Sequence, residues 1–230
     1  MNQAPSDACK QLNLALGDCP VFDRAHFVIT DRNSEAVAVV DAWPDWPGGR
    51  LALVGPEGSG KTHLARIWAA RSGATIAAGP DIDLSQLPSG PILLEDADRG
   101  VGDTVLFHLI NRADTGGSLL LTGRAAPRQW PATLPDLRSR LNALLSVEIG
   151  APDDAMLEGL LTMFFRERYI TPDPELITYL LRRMERSARA ARALVKQLDE
   201  TAAGSGRGSQ GVGERGLGGT WGLVHDKNLD

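Results

Sequence analysis

The sequence is short of three things: cysteine, aromatic side chains and positive charge. Of its 230 residues only Cys9 and Cys19 are cysteine, and both lie in one short stretch near the start. That excludes a disulfide-stapled scaffold and makes a reducing cytoplasm the expected compartment. Aromatic residues make up 5%, and 24 Lys+Arg against 29 Asp+Glu leave a net charge of −5. A chain that grips nucleic acid over a broad face carries a basic footprint, and an acidic balance offers none. No apolar run approaches the ~18 residues of a membrane span. The polar start MNQAPSDACK lacks the apolar core of a signal peptide. What is present is ordinary for a globular protein, with 43% hydrophobic and 23% charged residues. The length suits one compact domain, or a main domain with a small appendage.

Along the chain, short apolar runs alternate with amphipathic stretches. Leu51–Val54, Ala74–Ala78, Pro91–Glu95, Ser118–Thr122 and Ser146–Ile149 read as strands. Lys61–Arg71, Asp103–Arg112 and Leu134–Ala143 read as helices between them. This alternation predicts an α/β domain with a five-stranded parallel sheet, its strands buried on both faces. After Gly150 the strand signal stops. Asp153 can cap a helix over Ala155–Arg168, Thr171-Pro-Asp-Pro174 breaks the chain, Glu175–Arg186 forms a second helix, and Ser187 can cap a third reaching about Ala203. The expected organisation is an N-terminal segment at 1–21, an α/β domain at 22–151, a three-helix lid at 152–203 and a tail at 204–230. The tail holds nine glycines and balanced charge. It cannot bury enough apolar surface to offset its ordering entropy, so disorder is expected there.

The sharpest signal is Gly55-Pro-Glu-Gly-Ser-Gly-Lys-Thr62, which matches G-x-x-x-x-G-K-[ST] at every position. It follows a strand and opens a helix, as a phosphate-binding loop must. Gly55, Gly58, Ser59 and Gly60 supply a backbone whose N–H groups can converge on phosphate oxygens, aided by the helix N-terminus. Lys61 would neutralise the β- and γ-phosphates, Thr62 would ligate Mg²⁺, and His63 follows on the helix. The metal calls for a second acidic strand end. Ile92-Leu-Leu-Glu-Asp-Ala-Asp98 provides it, with Asp96 the Mg²⁺-associated carboxylate and Glu95 the alternative.

With both motifs placed, residues 22–200 resemble the AAA+ P-loop NTPases, and among them the nucleotide-binding domain of the replication initiator DnaA. Phe27, Asn33 and the helix after them are similar to its adenine-side box. Leu134-Pro-Asp-Leu-Arg-Ser-Arg-Leu141 is similar to the DnaA segment that carries an arginine finger, a role the resemblance places on Arg140. Ser187-Ala-Arg189 resembles the sensor 2 segment, which places that role on Arg189. DnaA continues into a helix-turn-helix DNA reader, whereas here the lid is followed by the glycine-rich tail. A chain of this kind is similar to the regulatory inactivators of DnaA, the Hda family. That resemblance implies ADP (or ATP) as ligand, DnaA and the DNA polymerase sliding clamp as partners, and no direct sequence-specific DNA binding. It also implies a clamp-binding peptide near the N-terminus. Gln11-Leu-Asn-Leu-Ala-Leu16 fits the form Q-L-x-L-x-L, in which Leu12, Leu14 and Leu16 would enter an apolar cleft and the Gln11 amide would add directional hydrogen bonds.

Two departures from the DnaA pattern bear on chemistry. The position after Asp96 usually carries an acid that orients water, and here it is Ala97. The sensor 1 position usually carries Asn or Asp, and here it is Arg124. Both suit a site that holds nucleotide with weak turnover of its own. The expected function is control of bacterial replication initiation, by stimulating hydrolysis of DnaA-bound ATP through Arg140 in trans. The alternatives are an autonomous P-loop ATPase and a helicase-loader-like replication ATPase; self-association is left open.

Overall fold

The computed structural model describes Arg24 and residues 27–204, apart from residue 115. The Gln11–Leu16 motif and the glycine-rich stretch beyond residue 204 lie outside the described residues.

Five parallel strands form one sheet: β1 (Arg50–Val54), β2 (Thr75–Ala78), β3 (Ile92–Glu95), β4 (Leu119–Gly123) and β5 (Ser146–Glu148), in the order β2-β3-β4-β1-β5. Because side chains alternate along a strand, β1 feeds two separate cores. Leu51 and Leu53 point to one face, where α1 (Ser34–Asp41) and α2 (Lys61–Ser72) pack through Ala36, Val37, Val40, Leu64 and Trp68. Ala52 and Val54 point to the other, where α3 (Asp103–Asp114) and α4 (Pro135–Ala143) pack through Leu106, Ile110, Leu137 and Leu141. The sheet is thus the middle of three layers, and its continuous apolar runs are continuous because both faces are covered.

A third core lies in the helices that follow: α5 (Asp154–Glu167), α6 (Pro174–Leu181) and α7 (Ala188–Gly204). α5 and α7 begin on the caps predicted from sequence, and α6 begins on Asp173, within the segment read as a chain break. Asp153 Oδ1 accepts from the Met156 N–H at 2.8 Å, Asp173 Oδ1 from the Glu175 N–H at 2.8 Å, and Ser187 Oγ from the Ala190 N–H at 3.1 Å. Such caps satisfy N–H groups that have no partner inside the helix. The second helix is shorter than its expected extent to Arg186. It stops at Leu181, and the chain turns there, with the Met184 N–H bonded back to Leu180 O at 2.9 Å.

In the stretch Trp43-Pro-Asp-Trp-Pro47 the two tryptophans pack on the core while Pro44, Asp45 and Pro47 stay exposed. Trp46 stacks on Trp68 with centroids 5.3 Å apart, and Trp43 meets Trp68 edge-on at 6.2 Å. Trp68 is 1% exposed. Replacing it with alanine is expected to cost about 3–5 kcal/mol and to lower Tm by roughly 6–20 °C. Trp68→Phe should cost much less, because the buried indole N–H has no acceptor among the described residues. Thermal unfolding of both variants checks this, and equal losses would contradict it.

A carboxylate on α3 ties down the start of α4 through hydrogen bonds. Asp103, in the first turn of α3, accepts at Oδ2 from Thr133 N–H and Thr133 Oγ1, each at 2.6 Å, and from Leu134 N–H at 3.1 Å. The Thr133 hydroxyl bond above all, then the Thr133 amide, holds the Asp103 carboxyl below its ordinary value. A depressed carboxylate stabilises the fold above its unfolded-state pKa, and that contribution is lost as pH falls through the folded value. Asp103→Asn should therefore lower the denaturation midpoint at neutral pH. The gap to wild type should close in acid, as chemical denaturation at both pH values would show.

Candidate functional site

The loop Gly55–Thr62 leaves the end of β1, which lies between β4 and the edge strand β5, and enters α2. Its course is fixed by neighbours on both sides: the Gly55 N–H donates to Gly123 O at 3.2 Å and the Ile149 N–H to Val54 O at 2.8 Å. Two glycines are required by contact as well as by conformation. A Cβ on Gly55 (φ 149°) would lie 2.2 Å from Ile149 O, and one on Gly58 (φ 76°) would lie 2.8 Å from Ser187 Cβ. No other residue type could hold this path without a shift of the backbone. Gly60 precedes the first turn of α2, where a Cβ would lie 3.8 Å from both the Phe27 ring and Met156 Cε.

Ser59 Oγ is buried and has no hydrogen-bond partner among the described residues. Lys61 is 9% exposed, and its ammonium donates to Gly55 O at 2.8 Å and Pro56 O at 2.7 Å. Burial pushes that ammonium below its ordinary pKa and the Arg124 charge adds to the effect, while Asp96, Asp98 and Glu57 oppose it. A glycine cradle at a helix N-terminus, an unsatisfied buried hydroxyl and a partly desolvated lysine together fit an anionic phosphate chain. Thr62 is exposed on the first turn of α2. His63 is half-buried against Phe27, edge to face at 5.4 Å, so it backs the cradle from the side of residues 27–33. That segment is braced by Asn33, whose Nδ2 donates to Val28 O and whose Oδ1 accepts from the Thr30 N–H, both at 2.9 Å.

The two acids at the end of β3 are treated differently. Glu95 receives a fork of hydrogen bonds from Arg66 of α2, at 3.1 and 2.9 Å. The Asp96 side chain is 60% exposed and pairs with Arg99 at 3.3 Å. Its φ of 53° is left-handed, which Asp tolerates better than most residues. The turn is fixed by its N–H on Thr122 Oγ1 at 3.0 Å and by the Ala97 N–H on Thr122 O at 2.7 Å. The Thr62 hydroxyl and Asp96 carboxylate are hard oxygen donors, the kind Mg²⁺ takes. Ala97, 4% exposed, turns inward.

Arg140 lies in the last turn of α4, its guanidinium 5.3 Å above the Phe107 ring of α3. It is on the layer opposite α2. Arg189 is exposed on the first turn of α7, two residues past the Ser187 that abuts Gly58. Sequence reasoning missed three contacts: Arg66 on Glu95, Ser187 on Gly58, and Arg124 on Glu57 at 2.6 Å. Arg124 and Glu57 are 67 residues apart, and no local pattern announces such a pair.

Together, a parallel sheet in this order, a phosphate-type loop after β1 and a three-helix unit beside that loop define an AAA+ P-loop NTPase core. Within that class the fold is of the DnaA type. Domain III of the Thermotoga maritima replication initiation protein DnaA superposes with a TM-score of 0.68 at 16% identity, covering 83% of this chain and 92% of that one. An AMPPCP-bound DnaA from Aquifex aeolicus gives 0.65 at 18% identity over 79% of this chain and 66% of that one. The Holliday junction branch migration motor RuvB of Thermotoga maritima gives 0.59 at 17% identity over 75% and 64%. At these identities the likeness is one of fold. No protein-family model and no curated protein matches the sequence. Among the described residues, no helix is long and apolar enough to cross a membrane.

Proposed function

We propose that this chain is a nucleotide-holding AAA+ regulator of replication initiation, acting on a DnaA-type partner. Gly55, Gly58, Ser59, Gly60, Lys61 and Thr62 hold ADP (or ATP), with His63 behind the loop and Arg189 approaching from α7. Thr62 and Asp96 hold the Mg²⁺, which neutralises phosphate charge when bound. The Gln11–Leu16 peptide docks on the sliding clamp. Arg140 serves ATP bound by DnaA.

The observation that carries this reading is the placement of Arg140. An arginine finger stabilises charge developing on a phosphate held by a neighbouring subunit. Arg140 rides on α4, whose Leu137 and Leu141 pack on the sheet face away from α2. Its guanidinium lies against Phe107 of α3, in the layer on the other side of the sheet from α2. Ala97 points the same way, since a buried methyl at that position cannot orient water for the chain's own hydrolysis.

The test is an assay of DnaA–ATP hydrolysis with clamp loaded on DNA, with and without the full chain. Stimulation that requires loaded clamp and disappears when Gln11–Leu16 is deleted is the expected result. Hydrolysis by this chain alone, on the ~1–100 s⁻¹ scale of kinases, would instead favour an autonomous ATPase.

A further inference from the structure

Arg124 sits just past the end of β4, beside the start of the loop, where Gly55 is bonded to Gly123. Its backbone is anchored, because its N–H donates to Asp98 Oδ2 at 2.8 Å. Its side chain crosses to the loop and binds Glu57 Oε2 at 2.6 Å. The two side chains are 45% and 74% exposed. An ion pair this open to water contributes little to stability and is readily exchanged. Arg124 follows Gly123, whose carbonyl accepts from the Gly55 N–H, and the Lys61 ammonium donates to the Gly55 and Pro56 carbonyls, so the two cations flank the same end of the loop. Glu57, a carboxylate carried by the loop itself, thus occupies a guanidinium set beside the phosphate-binding lysine.

We propose that Glu57 is a built-in competitor for Arg124, holding the guanidinium that a nucleoside triphosphate's terminal phosphate would otherwise recruit, and so biasing the site toward nucleoside diphosphates. The proposal rests on the reading of Gly55–Thr62 as a nucleotide site. A terminal phosphate carries more charge than a carboxylate and accepts a guanidinium fork at least as well. Binding a triphosphate through Arg124 must therefore first break the Glu57 pair. A diphosphate leaves the pair in place. Asp98 ensures that only the side chain of Arg124, not its backbone, is free to choose.

The test is equilibrium binding of fluorescent ADP, with ADP and AMPPCP as competitors, to the full chain in the presence of Mg²⁺. Wild type, Glu57→Gln, Arg124→Gln and the double variant are compared, with thermal melts to establish folding. Glu57→Gln should tighten AMPPCP about three- to tenfold and leave ADP within about twofold, the range expected for one exchanged charge-assisted hydrogen bond. Arg124→Gln should weaken AMPPCP about tenfold, again with ADP little changed. In the Arg124→Gln background, adding Glu57→Gln should do nothing more. Equal effects on both nucleotides, or a Glu57→Gln effect that survives without Arg124, would overturn the competition. Binding of neither nucleotide by wild type would overturn the nucleotide-site reading and the proposal with it.

Discussion

The Arg140→Ala variant is expected to fold, to bind nucleotide and clamp as wild type does, and to lose stimulation of DnaA–ATP hydrolysis by about 10³-fold or more. The fold should survive because α4 is held by Leu137 and Leu141, each at most 1% exposed, and by the Asp103 tie at its start. Removing the guanidinium from the face of Phe107 forfeits a cation–π contact worth about 0.5–1 kcal/mol. That loss is too small to unfold the domain. The kinetic loss should be large because a finger acts where charge develops, and nothing nearby replaces it. Arg138 is the only other arginine on α4, and its guanidinium is engaged by Arg128 O at 3.1 Å and Ala132 O at 3.3 Å. Arg140→Lys should restore little, since an ammonium lacks the planar fork. Stimulation retained by Arg140→Ala would remove the role from this residue.

Lys61→Ala is expected to weaken ADP binding about 100-fold or more. Two charge-assisted hydrogen bonds to phosphate oxygens, at about 1.5 kcal/mol or more each, account for that factor. The lysine is poised for the exchange: it is already buried, and it already spends two N–H groups on the Gly55 and Pro56 carbonyls of the same loop. Thermal unfolding gives a direct readout. Ligand at 100 times Kd stabilises the native state by about 2.7 kcal/mol, so excess ADP should raise the wild-type Tm by several degrees. The same ADP concentration should leave the Tm of Lys61→Ala almost unmoved. An undiminished shift in the variant would place the nucleotide elsewhere.

Much of this architecture could be read from local pattern. Leu51–Val54, Ile92–Glu95 and Leu119–Thr122 declare themselves because both faces of each strand are buried, which leaves no polar interruption. Asp153 and Ser187 cap the helices expected of them because a cap is a matter of three residues. The loop Gly55–Thr62 is legible for the same reason. The strand order is not, since nothing within Thr75–Ala78 says that it pairs with β3 at the sheet's edge. Nothing local to Trp43 and Trp46 announces Trp68, more than twenty positions on, against which both pack. The chain alone names Asp96 first and Glu95 second, but it does not announce Arg66, which reaches Glu95 from α2, while Asp96 is left mostly exposed. What the chain conceals is set by partners distant in sequence.

The contact between Ser187 and Gly58 gives α7 a mechanical property. The helix is 17 residues long and so extends about 25 Å from a fulcrum resting on the loop. A tilt of about 10° at that fulcrum, small enough to come from a shift of one side chain's width, swings the far end by about 4 Å. Ala191 and Val195 of α7 are fully buried in the core shared with α5 and α6, so a tilt at Gly58 would have to move the three helices together.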